Sequence, residues 1–455
     1  MKLGWTWGEL ARAAGGRLTR GAASDPLDEL TTDTRRLTPG QAFWCLKGTR
    51  FDAHDLLDAG LAEKCSGFIV EQGRLDGRGL APKHVIEVTS TLKALQALAA
   101  AHRRRFDIPV AGITGSNGKT TTKEMLKGIC SRLGPVCASP GNWNNQIGVP
   151  LSVLELTAEH RYGVFELADS HPGDIAEVAK VAQPTLAVLT NLGPDHLEFY
   201  GSMEANFKTK SELIETLSAE GRAAINVDDP WLAGLEPRLG PRAVTYGMSP
   251  RARVSFETPD EMIIDRHRVK VALKAFGKLS RYNAAAAAAA ALAMGIDVDT
   301  IRKGLEDFVP SAMRLELVRH PSGCEIVLDA YNANPASMRA ALEGFCQEYA
   351  NRNKIVALGD MKELGETSER YHRELGAWLA TLPLKGVYLA GPEMKPAADA
   401  LAAARPAFAH RYAASPEDWA PALRAEMRAG NALFLKASRA MRFETLLENA
   451  SCSTT

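Results

Sequence analysis

The run Val110-Ala-Gly-Ile-Thr-Gly-Ser-Asn-Gly-Lys-Thr120 admits few folds. A short apolar stretch of β character, Val110 to Ile113, feeds a glycine-rich turn, and a helical pattern follows Gly118-Lys119-Thr120. Strand, tight turn and helix in that order build a phosphate-binding loop. Glycines let backbone N–H groups approach phosphate oxygens, and a helix N-terminus favours an anion. Gly115, Ser116, Asn117, Gly118, Lys119, Thr120 and Thr121 are therefore the candidates for holding a nucleoside triphosphate. Lys119 can reach the β- and γ-phosphates, and the Thr120 hydroxyl can ligate Mg²⁺. The usual spacing wants a glycine at position 113, which is Ile113 here.

Around that loop, 455 residues leave room for two to four domains with a large core. The formal charge is zero, which gives no reason to expect nucleic acid or an anionic membrane as partner. No apolar run is long enough to span a bilayer, and the N-terminus lacks a signal-peptide pattern. Seven scattered cysteines without a CxxC pair read as ordinary buried thiols. The expectation is a cytoplasmic α/β enzyme.

Three units are expected: residues 1–84, 85–311 and 312–455. The first shows a helix from Trp7 to Ala14, strands at Ala42–Leu46 and Gly67–Val70, and a helix opening at Phe51–Leu57. Its polar turns read as surface loops or a ligand site. A helical stretch from Leu92 to Phe106 leads to the phosphate loop, with Arg103-Arg104-Arg105 as its solvated end. In the central unit, strand candidates at Val110–Ile113, Val164–Leu167, Leu186–Thr190 and Ala223–Asn226 alternate with helices, as in a doubly wound parallel sheet. Glu166 and His196 follow such strands, and a carboxylate with an imidazole suits Mg²⁺ near phosphates. Gly141-Asn-Trp-Asn-Asn-Gln146 suits either a polar substrate or a left-handed turn. Asn283, before eight alanines at 284 to 291, suits an N-cap or an adenine contact. In the last unit, apolar runs ending in Asp329, Asp360, Gly391 and Lys436–Ser438 suggest a Rossmann-like sheet without the GxGxxG of a dinucleotide site.

These motifs together resemble the Mur ligases, the ATP-dependent amide-forming enzymes of peptidoglycan precursor synthesis. Gly112-Ile-Thr-Gly-Ser-Asn-Gly-Lys-Thr-Thr-Thr122 matches that family's own phosphate loop. The likeness extends to Asn142-Trp-Asn-Asn-Gln-Ile-Gly-Val-Pro150, His171-Pro-Gly-Asp-Ile175, Tyr331-Asn-Ala-Asn-Pro335 and Gly359-Asp-Met-Lys-Glu-Leu-Gly365. Asp33-Thr-Arg-Arg36 and Lys47 to His54 resemble its uridine-nucleotide domain. Two departures stand out. Leu279 and Ser280 replace a His-Asn pair before Asn283, and Ala168-Asp-Ser170 follows Glu166-Leu167 where Gly-Ala/Ser-Asn is common.

The resemblance implies a uridine-nucleotide domain, a central ATPase domain and a Rossmann-like ligase domain. It implies ligation of D-alanyl-D-alanine to UDP-N-acetylmuramoyl-tripeptide (UDP-MurNAc-tripeptide) through an acyl phosphate, in cell-wall biogenesis and hence cell shape and division. A monomer using ATP and two Mg²⁺ ions is expected. Lys119, Glu166, His196 and Lys210 are the implied catalytic set, with Thr120, Glu166, His196 and Lys210 on metal. Asn283, Arg314 and Asp329 would reach the nucleotide. Thr34, Arg35, Lys47, Asn142, Asn145, His171, Asn332, Asn334, Lys436 and Ser438 would meet the substrates. The rivals are a Mur-type ligase for a single amino acid and a P-loop nucleotide switch or ATPase.

Lys210 is singled out by periodicity as well. In the segment from Gly201 to Leu217, Met203, Phe207, Leu213, Ile214 and Leu217 share one helical arc; Lys210 falls inside it and Lys208 opposite. Such a lysine either snorkels or is paired or modified. The resemblance implies an N-carbamate on Lys210, a hard oxygen ligand for a second Mg²⁺.

Overall fold

The computed structural model describes residues 2–48, 51–193, 200–275, 277–310, 313–447 and 453–454. They form three α/β layers, each around its own sheet.

The first sheet has six strands in the order Lys2–Thr6, Pro26–Thr31, Ala42–Trp44, Gly67–Glu71, Val85–Val88, Arg17–Arg20. Its helix Trp7–Ala13 starts with a reciprocal cap: the Thr6 hydroxyl accepts from the Glu9 amide, and the Glu9 carboxylate accepts from the Thr6 amide. Trp7 is fully buried and stacks on His84 at 4.5 Å. The helix expected at Phe51–Leu57 is a single 3₁₀ turn, Ala53–Leu56, capped by Asp52.

Helix Thr91–Arg103 links this sheet to the next. Leu95 and Leu98 are buried as the apolar spacing requires. Arg104 and Arg105 are exposed, as expected of a solvated end, but Arg103 is not. It is 5% exposed, and its guanidinium donates to the carbonyls of Ala182, Phe106, Ile108 and Gln183. Five donors in a fixed fork can satisfy several carbonyls at once. This arginine therefore ties its own helix to the end of helix Asp174–Ala182.

The central sheet has nine strands, in the order His267–Lys270, Glu261–Ile264, Val254–Thr258, Ala243–Gly247, Arg222–Asn226, Leu186–Leu189, Val110–Thr114, Tyr162–Glu166, Val136–Ala138. The last seven run parallel; the first two strands add an antiparallel edge. Strand Val110–Thr114 lies between strands that follow it on either side, so a crevice opens at its C-terminal end. Helix Gly277–Ala293 packs on this sheet and on helix Lys119–Ser131. Ala284 to Ala291 are at most 1% exposed, and methyl groups alone let the backbones approach closely. Asn283 lies well inside this helix, which overturns its reading as an N-cap.

The third sheet runs His410–Ala413, Gly386–Ala390, Asn353–Gly359, Asn431–Lys436, Glu325–Asp329, Glu316–Arg319, Ser453–Thr454. The first five strands are parallel. Helix Pro335–Glu348 leaves the sheet beside the alanine helix, so the polar ends of the third sheet turn towards the phosphate loop. No described helix is long and apolar enough to cross a membrane.

Candidate active site

Two residues force the shape of the phosphate loop. Gly115 sits at φ +137°, and a Cβ there would lie 2.0 Å from Thr190 Oγ1. Gly118 sits at φ +85°, and a Cβ there would lie 2.1 Å from Asn283 Oδ1. Only glycine meets both demands. Neighbouring strand ends then fix the loop. The Ser116 amide donates to the Asn191 carbonyl at 2.9 Å, and the Asn117 amide to Asn191 Oδ1 at 3.0 Å. Thr190 Oγ1 donates to the Asn117 carbonyl at 2.6 Å. Helix Lys119–Ser131 starts without a side-chain cap, so its first amides point into the crevice. Lys119 Nζ donates to the Gly115 carbonyl at 2.5 Å, which places the ammonium at the loop.

Beside the loop, Thr120 Oγ1 donates to Glu166 Oε2 at 2.8 Å. Asn144 Nδ2 donates to the other oxygen, Oε1, at 2.7 Å. Glu166 is nearly buried. A hydroxyl and an oriented carboxylate next to a phosphate loop are the hard oxygen donors Mg²⁺ takes, with water and phosphate completing the shell. No cluster of three or more His, Cys, Asp or Glu side chains that could hold a metal ion occurs among the described residues. His196 lies outside the described residues.

Lys210 lies on helix Met203–Glu215 with its side chain 1% exposed, while Lys208 is exposed, as the helical arc requires. Its Nζ does not reach water. It donates to Asp169 Oδ2 at 3.0 Å and Oδ1 at 3.2 Å, and the Tyr200 hydroxyl donates to the same carboxylate. A carbamate on that nitrogen would set a second anion against a buried carboxylate, which burial makes costly. The expected carbamylation of Lys210 stands as an expectation, and what the geometry adds is its pairing with Asp169.

The third sheet closes the crevice into a cavity of about 690 Å³. Lys119, Thr120, Glu166, Asn283, Arg314, Asp329, Asn332 and Lys436 all line it. Asn142 and Asn145 line it too. Their loop is not left-handed at any asparagine; only Gly141 is, at φ +53°. Lys436 Nζ pairs with Asp329 at 2.5 Å and donates to the Asn332 carbonyl at 2.9 Å. The Arg314 guanidinium lies 3.9 Å from the Tyr331 ring centre. Asn334 Nδ2 donates to Asn117 Oδ1 at 3.0 Å, which joins the third unit to the phosphate loop.

Residues 113–291 match the Mur ligase middle domain, and residues 313–439 match the Mur ligase, glutamate ligase domain. The chain is 31% identical over 446 residues to the UDP-N-acetylmuramoyl-tripeptide--D-alanyl-D-alanine ligase of Bacillus subtilis (strain 168), covering 95% of this chain and 96% of the relative. The chain belongs to the Mur ligase family. Its fold superposes on MurF from Acinetobacter baumannii with a TM-score of 0.89, at 31% identity and 99% coverage of both chains. It superposes on MurF ligase from Thermotoga maritima in complex with ADP with a TM-score of 0.80, at 30% identity, covering 92% and 96%.

Several expected contact residues of this Mur ligase lie elsewhere. His171 is a largely exposed side chain outside the cavity lining, with its amide on Asp174. Thr34, Arg35 and Lys47 lie on the first sheet's turns, also outside it, and Arg35 forks onto Asp33. Asn334 caps helix Pro335–Glu348 through the Ser337 amide and is not part of the lining. Ser438 is a buried pin: its Oγ donates to the Asp360 carbonyl at 2.8 Å and accepts from the Lys362 amide at 3.2 Å. Sequence reasoning missed Lys123, whose buried ammonium holds the carbonyls of Ser139 and Gly141 at 2.7 and 2.8 Å and so anchors the asparagine loop. It also missed Asn144, Asp228 and Asp229. The Asp229 carboxylate accepts from the Leu192, Trp231 and Leu232 amides, yet burial still pushes its pKa up.

His372 holds the segment beside Ser438. It is fully buried; its Nδ1 donates to the Ser368 carbonyl and its Nε2 accepts from the Met361 amide at 3.1 Å. Only a neutral ring can accept there, and burial holds its pKa below the usual 6.5. The unfolded chain therefore binds a proton that the folded chain refuses. Stability is fully present above the unfolded value and falls as pH drops below it towards the folded value. Urea melts between about pH 5 and 8 should show this loss in the wild type and a shallower slope in His372→Gln, whose amide oxygen can still accept.

Proposed function

We propose that this Mur ligase joins D-alanyl-D-alanine to UDP-N-acetylmuramoyl-tripeptide, coupled to ATP cleavage. The observation that carries the reading is one cavity in which the phosphate loop, the Glu166–Thr120 pair and the polar ends of the third sheet converge. The named activity of the Bacillus subtilis relative and the ADP bound to the Thermotoga maritima protein support it.

A carboxylate does not condense with an amine at neutral pH until it is activated. Activation by phosphorylation brings two anions together, so the site must neutralise and position rather than supply a nucleophile. Lys119 and the first amides of its helix offset the charge that builds on the transferring phosphoryl group. Thr120 and Glu166 would hold Mg²⁺, which when bound screens the phosphate oxygens. Asn144 keeps the Glu166 carboxylate oriented. Arg314 lies on the third-sheet side and favours anionic groups there, while Lys436 is held by Asp329. Asn142 and Asn145 offer amides for the peptide, with Asn145 Oδ1 already fixed by the Gly148 amide at 2.8 Å. The polar turns around Thr34, Arg35 and Lys47 would receive the uridine nucleotide.

The test is phosphate release from ATP with each acceptor omitted in turn. Release and amide product are expected only when UDP-MurNAc-tripeptide and D-alanyl-D-alanine are both present. Turnover indifferent to either acceptor would identify a nucleotide switch or ATPase instead. Amide formation from a single amino acid in place of the dipeptide would favour the other Mur-type activity.

A further inference from the structure

Lys123 is fully buried, yet its side chain is cationic. It lies on helix Lys119–Ser131, three positions after Thr120, so the two side chains leave neighbouring points of one helical face. A buried ammonium is costly unless its hydrogens find acceptors. Here the chain supplies them. Strand Val136–Ala138 ends, and the backbone turns through Pro140 and Gly141, the latter at φ +53°. The turn brings two carbonyls onto one nitrogen. Lys123 Nζ donates to Ser139 at 2.7 Å and to Gly141 at 2.8 Å. Glu124 Oε1 lies 3.0 Å from the same nitrogen and offsets its charge. An apolar side chain would fill the space without the cost of burying a charge, but it would not tie the turn down.

The segment held in this way reaches Glu166. Ser139 Oγ accepts from the Glu166 amide at 3.2 Å. Asn144 Nδ2 donates to Glu166 Oε1, and the Asn144 carbonyl accepts from the Ala168 amide at 2.8 Å. Glu166 Oε2 accepts from Thr120, back on the starting helix. The bonds therefore close a ring: phosphate-loop helix, Lys123, asparagine loop, Glu166, Thr120, helix. Thr120 holds one carboxylate oxygen and the asparagine loop holds the other, and both are referred to the same helical turn. With the ring cut at Lys123, the loop would still touch Glu166 but would lose its tie to the helix that carries Thr120. Groups that orient a metal ligand set metal affinity without touching the ion.

We propose that Lys123 is a positioning residue for the divalent cation: through the asparagine loop it sets the orientation in which Glu166 and Thr120 receive Mg²⁺ beside the phosphates. The inference rests on the Mg²⁺ reading of Thr120 and Glu166 given above. Lys123 does not line the cavity and acts through Glu166.

Calorimetric binding of a non-hydrolysable ATP analogue, once in excess EDTA and once in excess Mg²⁺, measures the gain in affinity that Mg²⁺ confers. The wild type should show such a gain, and Glu166→Gln should lose it. In Lys123→Met the gain should fall about fivefold or more. Affinity in EDTA should stay within about twofold of the wild type, because the loop amides and Lys119 are untouched. Lys123→Gln leaves a donor in the buried space and is the variant to read where Lys123→Met does not fold. Its shorter amide cannot span both carbonyls, so it should show the same loss. Lys123→Met combined with Glu166→Gln should bind within about twofold of Glu166→Gln alone, since the lysine acts through that carboxylate. A Mg²⁺ gain within about twofold of the wild type in a folded Lys123 variant overturns the proposal and leaves the lysine a structural tie. So does an equal loss of affinity in EDTA, or the failure of both variants to fold. No gain in the wild type, or a full gain in Glu166→Gln, overturns the Mg²⁺ reading of Thr120 and Glu166, and the proposal with it.

Discussion

Lys119→Ala should lose at least about 100-fold in product formation while melting near the wild-type temperature. The size follows from what the ammonium does. In the crevice, charge develops on the transferring phosphoryl group where water is thin, so one fixed cation there is worth several times its value at a surface. The stability claim follows from its contacts. Lys119 Nζ donates to the Gly115 and Ser116 carbonyls, but the loop is also held by Asn191 and Thr190. Removing one donor from a loop with that many ties costs little folding energy. Amide formation followed by product chromatography, beside a thermal melt, checks both halves. Near-normal turnover in a folded variant would refute the assignment of the phosphate loop as the catalytic centre.

The second large effect is on folding. Asp169→Ala should destabilise the protein by about 3–5 kcal/mol, and Lys210→Met by a similar amount. The two side chains are 2% and 1% exposed, so removing one of them leaves the other charge buried without this counter-ion. Replacing both, as in Lys210→Met with Asp169→Leu, should return much of the loss, because a buried pair often does little better than apolar groups of the same size. Urea unfolding of the two single variants and the double variant gives the coupling directly. Additivity of the two single losses would mean that the pair is not coupled. Rescue of Lys210→Ala by acetate separates the two roles: recovery is expected of a carbamate that serves as a metal ligand and no recovery of a cation that serves only to pair with Asp169.

The sequence made some of this legible and hid the rest for a physical reason. The phosphate loop could be read because its chemistry fixes residues at adjacent positions: Gly115, Gly118, Lys119 and Thr120 answer to one ligand group. Parallel strands such as Asn353–Gly359 and Asn431–Lys436 could be read because burial on both faces leaves an unbroken apolar run. The antiparallel edge from Glu261 to Lys270 was not read, since its short strands carry charge on the open face. Arg103 and Lys123 were read as surface residues or passed over because their partners are carbonyls, which leave no mark in a sequence. Asp169 could be seen as a departure from the family pattern, but not as the partner of Lys210, 41 positions away. Ser438 and Asn334, expected to meet substrate, make bonds that serve the fold, which a hydroxyl or amide at a strand end can do without leaving a mark in the sequence.

The eight alanines of helix Gly277–Ala293 bear on how such a protein can change. Every one of them is buried, on a helix that packs against the central sheet, the helix that carries the phosphate loop and helix Pro335–Glu348. A single base change in an alanine codon yields valine, threonine, serine, proline, aspartate, glutamate or glycine. All but glycine add atoms where backbones nearly touch, and glycine loosens the helix by about 1 kcal/mol. This seam therefore has almost no neutral neighbours in sequence space. Drift should collect on the exposed edge strands and halt here, so an inhibitor whose grip depends on the backbone beside this helix would leave the protein few mutational routes of escape.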